Sequence, residues 1–265
     1  LLGLKYTVDD SVKFYTDTKS LFKEASMNLR EWTCNSPEVM AQIPEVDRGS
    51  VANGKFLGVF WKLDSDELFV AKPKLPPLET LTKRHILKAA ASFFDPCGFF
   101  SVISIRAKLL LQTLWTNKVE WDTPLPSYLS QWLPIEANLK DVATVPLQRH
   151  IGLQSLVGCD YTLQLHCFCD ASKDAFATAL YLRKTENSTI TTNLLFSKAR
   201  LSPLKPVSIP RLELMAALLG AHLLRFAVRE LKLPIEKQIL WTDSESVLGW
   251  VNSPRSLPVF VANRI

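Results

Sequence analysis

The sequence predicts an α+β chain whose second half is a mixed β-sheet with flanking helices. Three observations predict it. Residues 161–200 hold three β-rich runs, YTLQLHCFCD, FATALYLRK and TTNLLFSKAR, joined by short polar turns such as TENST. A long apolar helix is expected at 210–231, opened by Pro210 in its first turn. A fourth strand, KQILW, follows it, and then a helix start at SVLGWVNS. Three antiparallel strands, a helix and a parallel strand make a layered sheet with helices packed on it.

Composition sets wide bounds. The 265 residues are 47% hydrophobic and 22% charged, which is globular rather than disordered. Thirty-one basic against 26 acidic residues give a net charge of +5, compatible with a polyanionic partner. The five cysteines, Cys34, Cys97, Cys159, Cys167 and Cys169, include no CxxC pair, so neither a zinc site nor a disulfide framework is indicated. A reducing intracellular compartment is the expectation. The longest apolar run, 212–224, is broken by Glu213 and His222 and is too short to span a bilayer. No signal peptide or membrane partner is expected. The chain opens on Leu1 instead of Met and stops in VFVANRI without a closing element, and it reads as a piece of a longer protein.

Taken in order, residues 7–29 have a helical pattern, with Thr7 as cap and Asp9 and Asp10 at the N-terminus. KFLGVFWKLDSDELFVAK, 55–72, reads as a hairpin around Asp64-Ser65-Asp66, and KPKLPPL as a linker. Two helices are expected at 80–94 and 101–115, separated by the turn Asp95-Pro96-Cys97-Gly98. Each leaves cations, Lys83, Arg84, Lys88, Arg106 and Lys108, for its polar side. These form a solvated face or, in the sharper reading, contact phosphates. WDTPLPSYLSQWLPIEANL, 121–139, is a Pro-rich turn and a short helix, and 140–160 is a candidate domain boundary.

Three acids stand at the tips of apolar elements. Asp170 ends the strand LQLHCFCD, Glu213 lies in the first turn of the apolar helix, and Asp243 follows ILWT. Singly, each has an ordinary role: a turn residue, a partner for Arg211, a cap for the helix at 244. A carboxylate among apolar residues needs a counter-charge, and three at the ends of one sheet would repel unless neutralised. Two Mg²⁺ ions, which prefer oxygen ligands, would neutralise them and support phosphodiester cleavage. Mn²⁺ is the alternative ion.

The series FCDAS, IPRLELMAAL and WTDSESVLGW resembles the acid series of the ribonuclease H domain in retroelement polyproteins. MNLREWTCNSPEV, KFLGVFW, LTKRHILKAAASFFDPCGFFSVISIRAKLLLQTLW, WDTPLP and FVANRI are similar to the pol polyprotein of BEL/Pao-type LTR retrotransposons. The resemblance implies the end of a reverse transcriptase palm at 1–75, thumb-like helices at 76–120, a connection at 121–160 and an RNase H-like domain at 161–265. It implies Asp170, Glu213 and Asp243 as metal ligands and an RNA–DNA hybrid or template–primer as substrate. Lys83, Arg84, Arg106, Lys108, Ser172, Lys198, Arg200 and Ser244 become candidate nucleic-acid contacts. It also implies the remainder of the polyprotein as a partner, a cytoplasmic particle or the nucleus as location, and no small-molecule cofactor.

Two departures follow from the same resemblance. Polymerase carboxylates would precede Leu1, so no polymerase activity is expected, and a fourth nuclease acid would follow Ile265. An aspartic protease needs Asp-Thr/Ser-Gly; Asp17-Thr18-Lys19, Asp64-Ser65-Asp66 and Asp243-Ser244-Glu245 lack the Gly, and proteolysis is not supported. The competing readings are a non-catalytic template–primer-binding module and a degenerate retroelement fragment.

Overall fold

A computed structural model of the chain describes residues 5, 7–49, 54–56, 58–151 and 161–265. Leu1, Cys159 and the stretch 152–160 of the expected boundary lie outside the described residues. The chain divides into two compact units, Leu1–Ala71 with Ala143–Ser155, and Lys72–Val142 with Leu156–Ile265.

In the first unit, helix α1 spans Val8–Glu24 and α2 spans Pro37–Gln42. Thr7 caps α1 by accepting from the Asp10 N–H at 3.1 Å, so Asp9 and Asp10 are first-turn acids of a helix. The expected helix to residue 29 stops early, because Ser26 takes a left-handed φ of 58°. Tyr15, Val39 and Ile43 form the core, with Val8, Val12 and Trp32 against it. Beneath them the buried Asp47 accepts from Tyr15 Oη at 2.7 Å and pairs with Lys19. Strands β1 (Gly54–Phe56), β2 (Val59–Lys62) and β3 (Glu67–Phe69) pair antiparallel in that order. The predicted hairpin thus gains a third strand, since the chain turns at Gly58, where φ is 92°. A two-residue β4, Leu147–Gln148, extends the sheet beside β3.

The second unit holds helices α3 (Lys83–Ser92), α4 (Ser101–Thr116) and α5 (Leu129–Asp141). Its strands are β5 (Tyr161–Ala171), β6 (Ala175–Glu186) and β7 (Thr189–Leu201). Helix α6 (Ile209–Leu231), strand β8 (Ile235–Trp241) and helices α7 (Glu245–Val251) and α8 (Val259–Ala262) complete it. Three antiparallel strands and one parallel strand form the mixed sheet the sequence predicts; their order, β7-β6-β5-β8, sets the parallel strand beside β5. Short α8 is the element the sequence did not announce. Its Val261 joins Leu214, Ala217 and Val247 in one cluster.

Alternation along β5 decides which face is covered. Leu163, Leu165, Cys167 and Cys169 are buried on one face, under α6. The helix comes very close there because residue 220 is glycine. A Cβ at that position would lie 2.4 Å from Cys169 Sγ and 3.0 Å from both Cys167 Sγ and Thr178 Oγ1. Overpacking of this kind costs about 1–3 kcal/mol. The helix preference of alanine returns at most about 1 kcal/mol. Gly220→Ala is therefore expected to lower stability by about 1–2 kcal/mol, read as a lower midpoint in urea unfolding.

The helical layer is joined to the sheet edge by the expected turn at 95–98. Asp95 accepts from the Phe99 and Phe100 N–H groups at 3.0 and 2.8 Å, and these start α4. The Ser197 N–H on β7 donates to the Cys97 carbonyl at 2.9 Å. Gly98, with φ 74°, fits because any Cβ would meet the Ser197 carbonyl.

Lys83 is a correction to the sequence reading, which left it on the polar side of its helix. It is 2% exposed. Its ammonium donates to the Val119 carbonyl at 3.0 Å and stands 3.5 Å and 4.9 Å from the ring centroids of Trp115 and Trp121. A desolvated cation–π contact is worth about 2 kcal/mol. The lost charged hydrogen bond would leave a carbonyl unpaired. Lys83→Met is expected to lower stability by about 2 kcal/mol, measured by urea unfolding. Among the described residues no helix is long and apolar enough to cross a membrane.

A three-carboxylate candidate metal centre

The far end of β5 and the end of β8 lie side by side, since Phe168 and Trp241 are register partners. Asp170 is two residues past Phe168 and Asp243 two past Trp241, so both carboxylates emerge at one rim of the sheet. Glu213 arrives from the second turn of α6, one turn later than the sequence suggests because the helix already begins at Ile209, and α6 packs on β5. One carboxylate oxygen from each acid lies within 4.8 Å of the other two. Asp170 and Asp243 are exposed and Glu213 is buried.

The Ala171 N–H fixes two of the three. It donates to Asp170 Oδ1 at 2.7 Å and to Glu213 Oε1 at 3.1 Å. Glu213 Oε2 is buried and has no hydrogen-bond partner. Arg211, the cation the sequence offered to Glu213, instead stands over the Phe260 ring at 5.0 Å. Burial raises the Glu213 carboxyl above its ordinary range. The Ala171 N–H pulls the other way, and the charges of Asp170 and Asp243 raise it further. Asp243 does not cap the following helix; Ser244 does, accepting from the Val247 N–H.

These observations are a test of fit for a hard divalent cation. The donors are all carboxylate oxygens, they converge, and one buried oxygen has no protein partner. Mg²⁺ and Mn²⁺ take such oxygen sets, whereas the absence of Cys or His among the three argues against zinc.

The face of the sheet away from α6 carries a groove of about 550 Å³, lined by Phe168, Asp170, Ala177, Ala179, Trp241 and Asp243. Phe168 and Trp241 are 48% and 46% exposed and stack at 6.1 Å and 11°. The His166 ring lies near-parallel to Trp241, with centroids 6.0 Å apart. The sequence reading missed these three residues and the Ala171 N–H. The every-second-residue spacing of His166, Phe168 and Asp170 was the available signal.

The remaining candidates are dispersed. Ser172 is exposed and its hydroxyl accepts from the Asp174 and Ala175 N–H groups, closing the β5–β6 turn. Lys198 and Arg200 are exposed on β7, opposite Thr178 and Phe176. Direct antiparallel partners share a face, so both cations project on the α6 side, opposite to Asp170. Arg84 is exposed but forms a two-pronged pair with Asp122 at 2.7 and 2.9 Å. Arg106 and Lys108 are exposed on α4. The structure brings together the three acids and leaves the basic candidates apart from them.

Residues 82–244 match the family described as Pao retrotransposon-like RNaseH-like domain. That segment is 163 residues, more than half of the 265. The chain belongs to the Pao RNase H-like family. Its matched segment runs from the start of α3 to the N-cap of α7. The mixed four-strand sheet with flanking helices is consistent with an RNase H-like domain. No curated protein matches the chain.

Proposed function

We propose that this Pao domain is an RNase H-type ribonuclease that cleaves the RNA strand of RNA–DNA hybrids. The single observation that supports the reading is the convergence of Asp170, Glu213 and Asp243, with a buried Glu213 oxygen left unpaired. Asp170 and Asp243 would hold the divalent ions on the exposed side and Glu213 from below. The bound ions, Mg²⁺ or Mn²⁺, would supply activation of a water and charge neutralisation at the leaving oxygen. The chain's own part is to fix the carboxylates before substrate arrives: Ala171 orients two of them, and β5 and β8 set the spacing of Asp170 and Asp243. The apolar surroundings of Glu213 keep bulk water from screening its charge.

The rest of the reading stands on resemblance to Pao polyproteins. Residues 1–75 would end a reverse transcriptase palm, 76–120 would act as its thumb and 121–160 as a connection. Arg106 and Lys108 remain candidate backbone contacts, with Ser172 and Ser244 nearest the acids. Lys198 and Arg200 would meet a nucleic acid only on the α6 side.

The test is cleavage of a hybrid with labelled RNA, by the chain alone and by one continued past Ile265. The reading predicts RNA-strand cleavage that needs Mg²⁺ and stops with Asp170→Asn. Cleavage that survives that substitution, or no cleavage at either length, refutes it.

A further inference from the structure

From Trp241, in the groove beside the acids, a hydrogen-bond line runs along the same sheet face, and its proton positions follow from donor chemistry alone. The Trp241 Nε1–H lies 3.0 Å from His166 Nδ1. An indole nitrogen only donates, so Nδ1 must be the acceptor and carries no proton. At the other end His166 Nε2 lies 3.2 Å from Gln164 Oε1. Arg183 Nη1 donates to the same oxygen at 3.4 Å, and a guanidinium only donates, which confirms an oxygen at that place. His166 Nε2 is therefore the donor. A donor-only group at each end fixes one neutral tautomer of His166.

The line crosses the β5–β8 seam at a mechanically useful place. Gln164 and His166 are on β5, on the same face as Asp170; Trp241 is the last residue of β8, two before Asp243. The Trp241 ring is near-parallel to those of Phe168 and His166, at 11° to each, and the 3.0 Å bond joins it to His166 edge to edge. It is 46% exposed, so burial alone does not hold it. The N–H bond to His166 supplies direction that stacking lacks.

We propose that Trp241 and His166 are positioning residues of the acid cluster, holding the end of β8, and with it Asp243, against Asp170 only while His166 is neutral. The proposal rests on the metal-site reading for its functional meaning but not for its geometry. A second proton would go on Nδ1 and set an N–H against the indole N–H, so the bond would be lost. Among the groups facing His166 the Arg183 guanidinium opposes that proton. Arg183 and Tyr181 flank it on β6, and Lys237, the register partner of Gln164, lies on the same face of β8. Burial and the Arg183 charge place its ionisation below the ordinary histidine range. The link is thus closed at neutral pH and opens on the acid side.

The experiment follows amide and indole N–H signals of the chain by NMR from pH 7.5 to 5, with no metal added. The Trp241 indole signal is identified by its loss in Trp241→Phe, which keeps the stack and removes the donor. The proposal expects this signal and the amides of Asp243 and Ser244 to move together with one midpoint below about 6.5. In His166→Asn, whose side-chain oxygen replaces Nδ1 as acceptor, none of them should move in that window. A second arm measures Mn²⁺ affinity at pH 7.5. Trp241→Phe should bind about tenfold more weakly, as for outer-shell partners of metal ligands. His166→Asn should bind like the parent chain. Asp243 and Ser244 amides that ignore the indole's titration would overturn the proposal. A chain that binds no Mn²⁺ but shows the coupled titration would sink the metal reading while upholding the link.

Discussion

Asp170→Asn is expected to lower hybrid cleavage at least about 10³-fold, and Asp243→Asn to do the same. Three decades in rate correspond to about 4 kcal/mol of lost transition-state stabilisation. Metal-held charge compensation is worth several kcal/mol, so loss of one ligand charge reaches that size. The fold should not suffer. Both side chains are exposed, and an Asn at 170 retains an oxygen to accept the Ala171 N–H. Ser172→Ala serves as the neighbouring control; its hydroxyl closes a turn, and the change should alter the rate only a few-fold. Initial rates on a labelled hybrid, with unfolding midpoints measured in parallel, separate a lost ligand from a lost fold.

Glu213→Gln is expected to abolish cleavage and yet stabilise the metal-free chain by about 1–2 kcal/mol near neutral pH, the scale of a relieved buried, unsatisfied charge. Gln keeps an oxygen for the Ala171 N–H and supplies an N–H₂ that can donate to Asp170 or Asp243. The pH dependence has a definite sign. Glu213 is raised in the folded chain, so between the unfolded and folded pKa values the folded state holds more protons. Stability in metal-free buffer must then fall as pH rises above about 4.5, through the folded pKa. The Gln variant lacks this component. Denaturant midpoints of both chains between pH 4 and 8, in chelator, show it as a widening gap towards neutral pH. A gap that narrows would mean that Glu213 is held by a favourable partner.

The sheet was legible because its pattern is local. Leu163, Leu165, Cys167 and Cys169 alternate, and α6 carries the long, nearly apolar run 212–224, so the strand series and the crossover helix could be read directly. The acids were legible for a related reason, as charges at the tips of segments that otherwise avoid charge. What failed depends on distant residues. Lys83 looks like any first-turn lysine until Trp115 and Trp121, more than 30 positions on, fold over it. The face taken by Lys198 and Arg200 turns on an irregularity in β7. Leu194 pairs with Tyr181 but Phe196 pairs with Leu180, so Leu195 is an extra residue and strand parity reverses beyond it. The Trp241–His166 bond needs the β5–β8 register, which no local pattern encodes.

A Mn²⁺ titration of the 265-residue chain, compared with the Asp170→Asn/Asp243→Asn double variant, tests the shared cation site most directly. Saturable binding by the parent chain, accompanied by a rise in its unfolding temperature and at least tenfold weaker in the double variant, is the predicted result. Equal binding by the two chains, or a parent chain whose unfolding temperature ignores Mn²⁺, would contradict it.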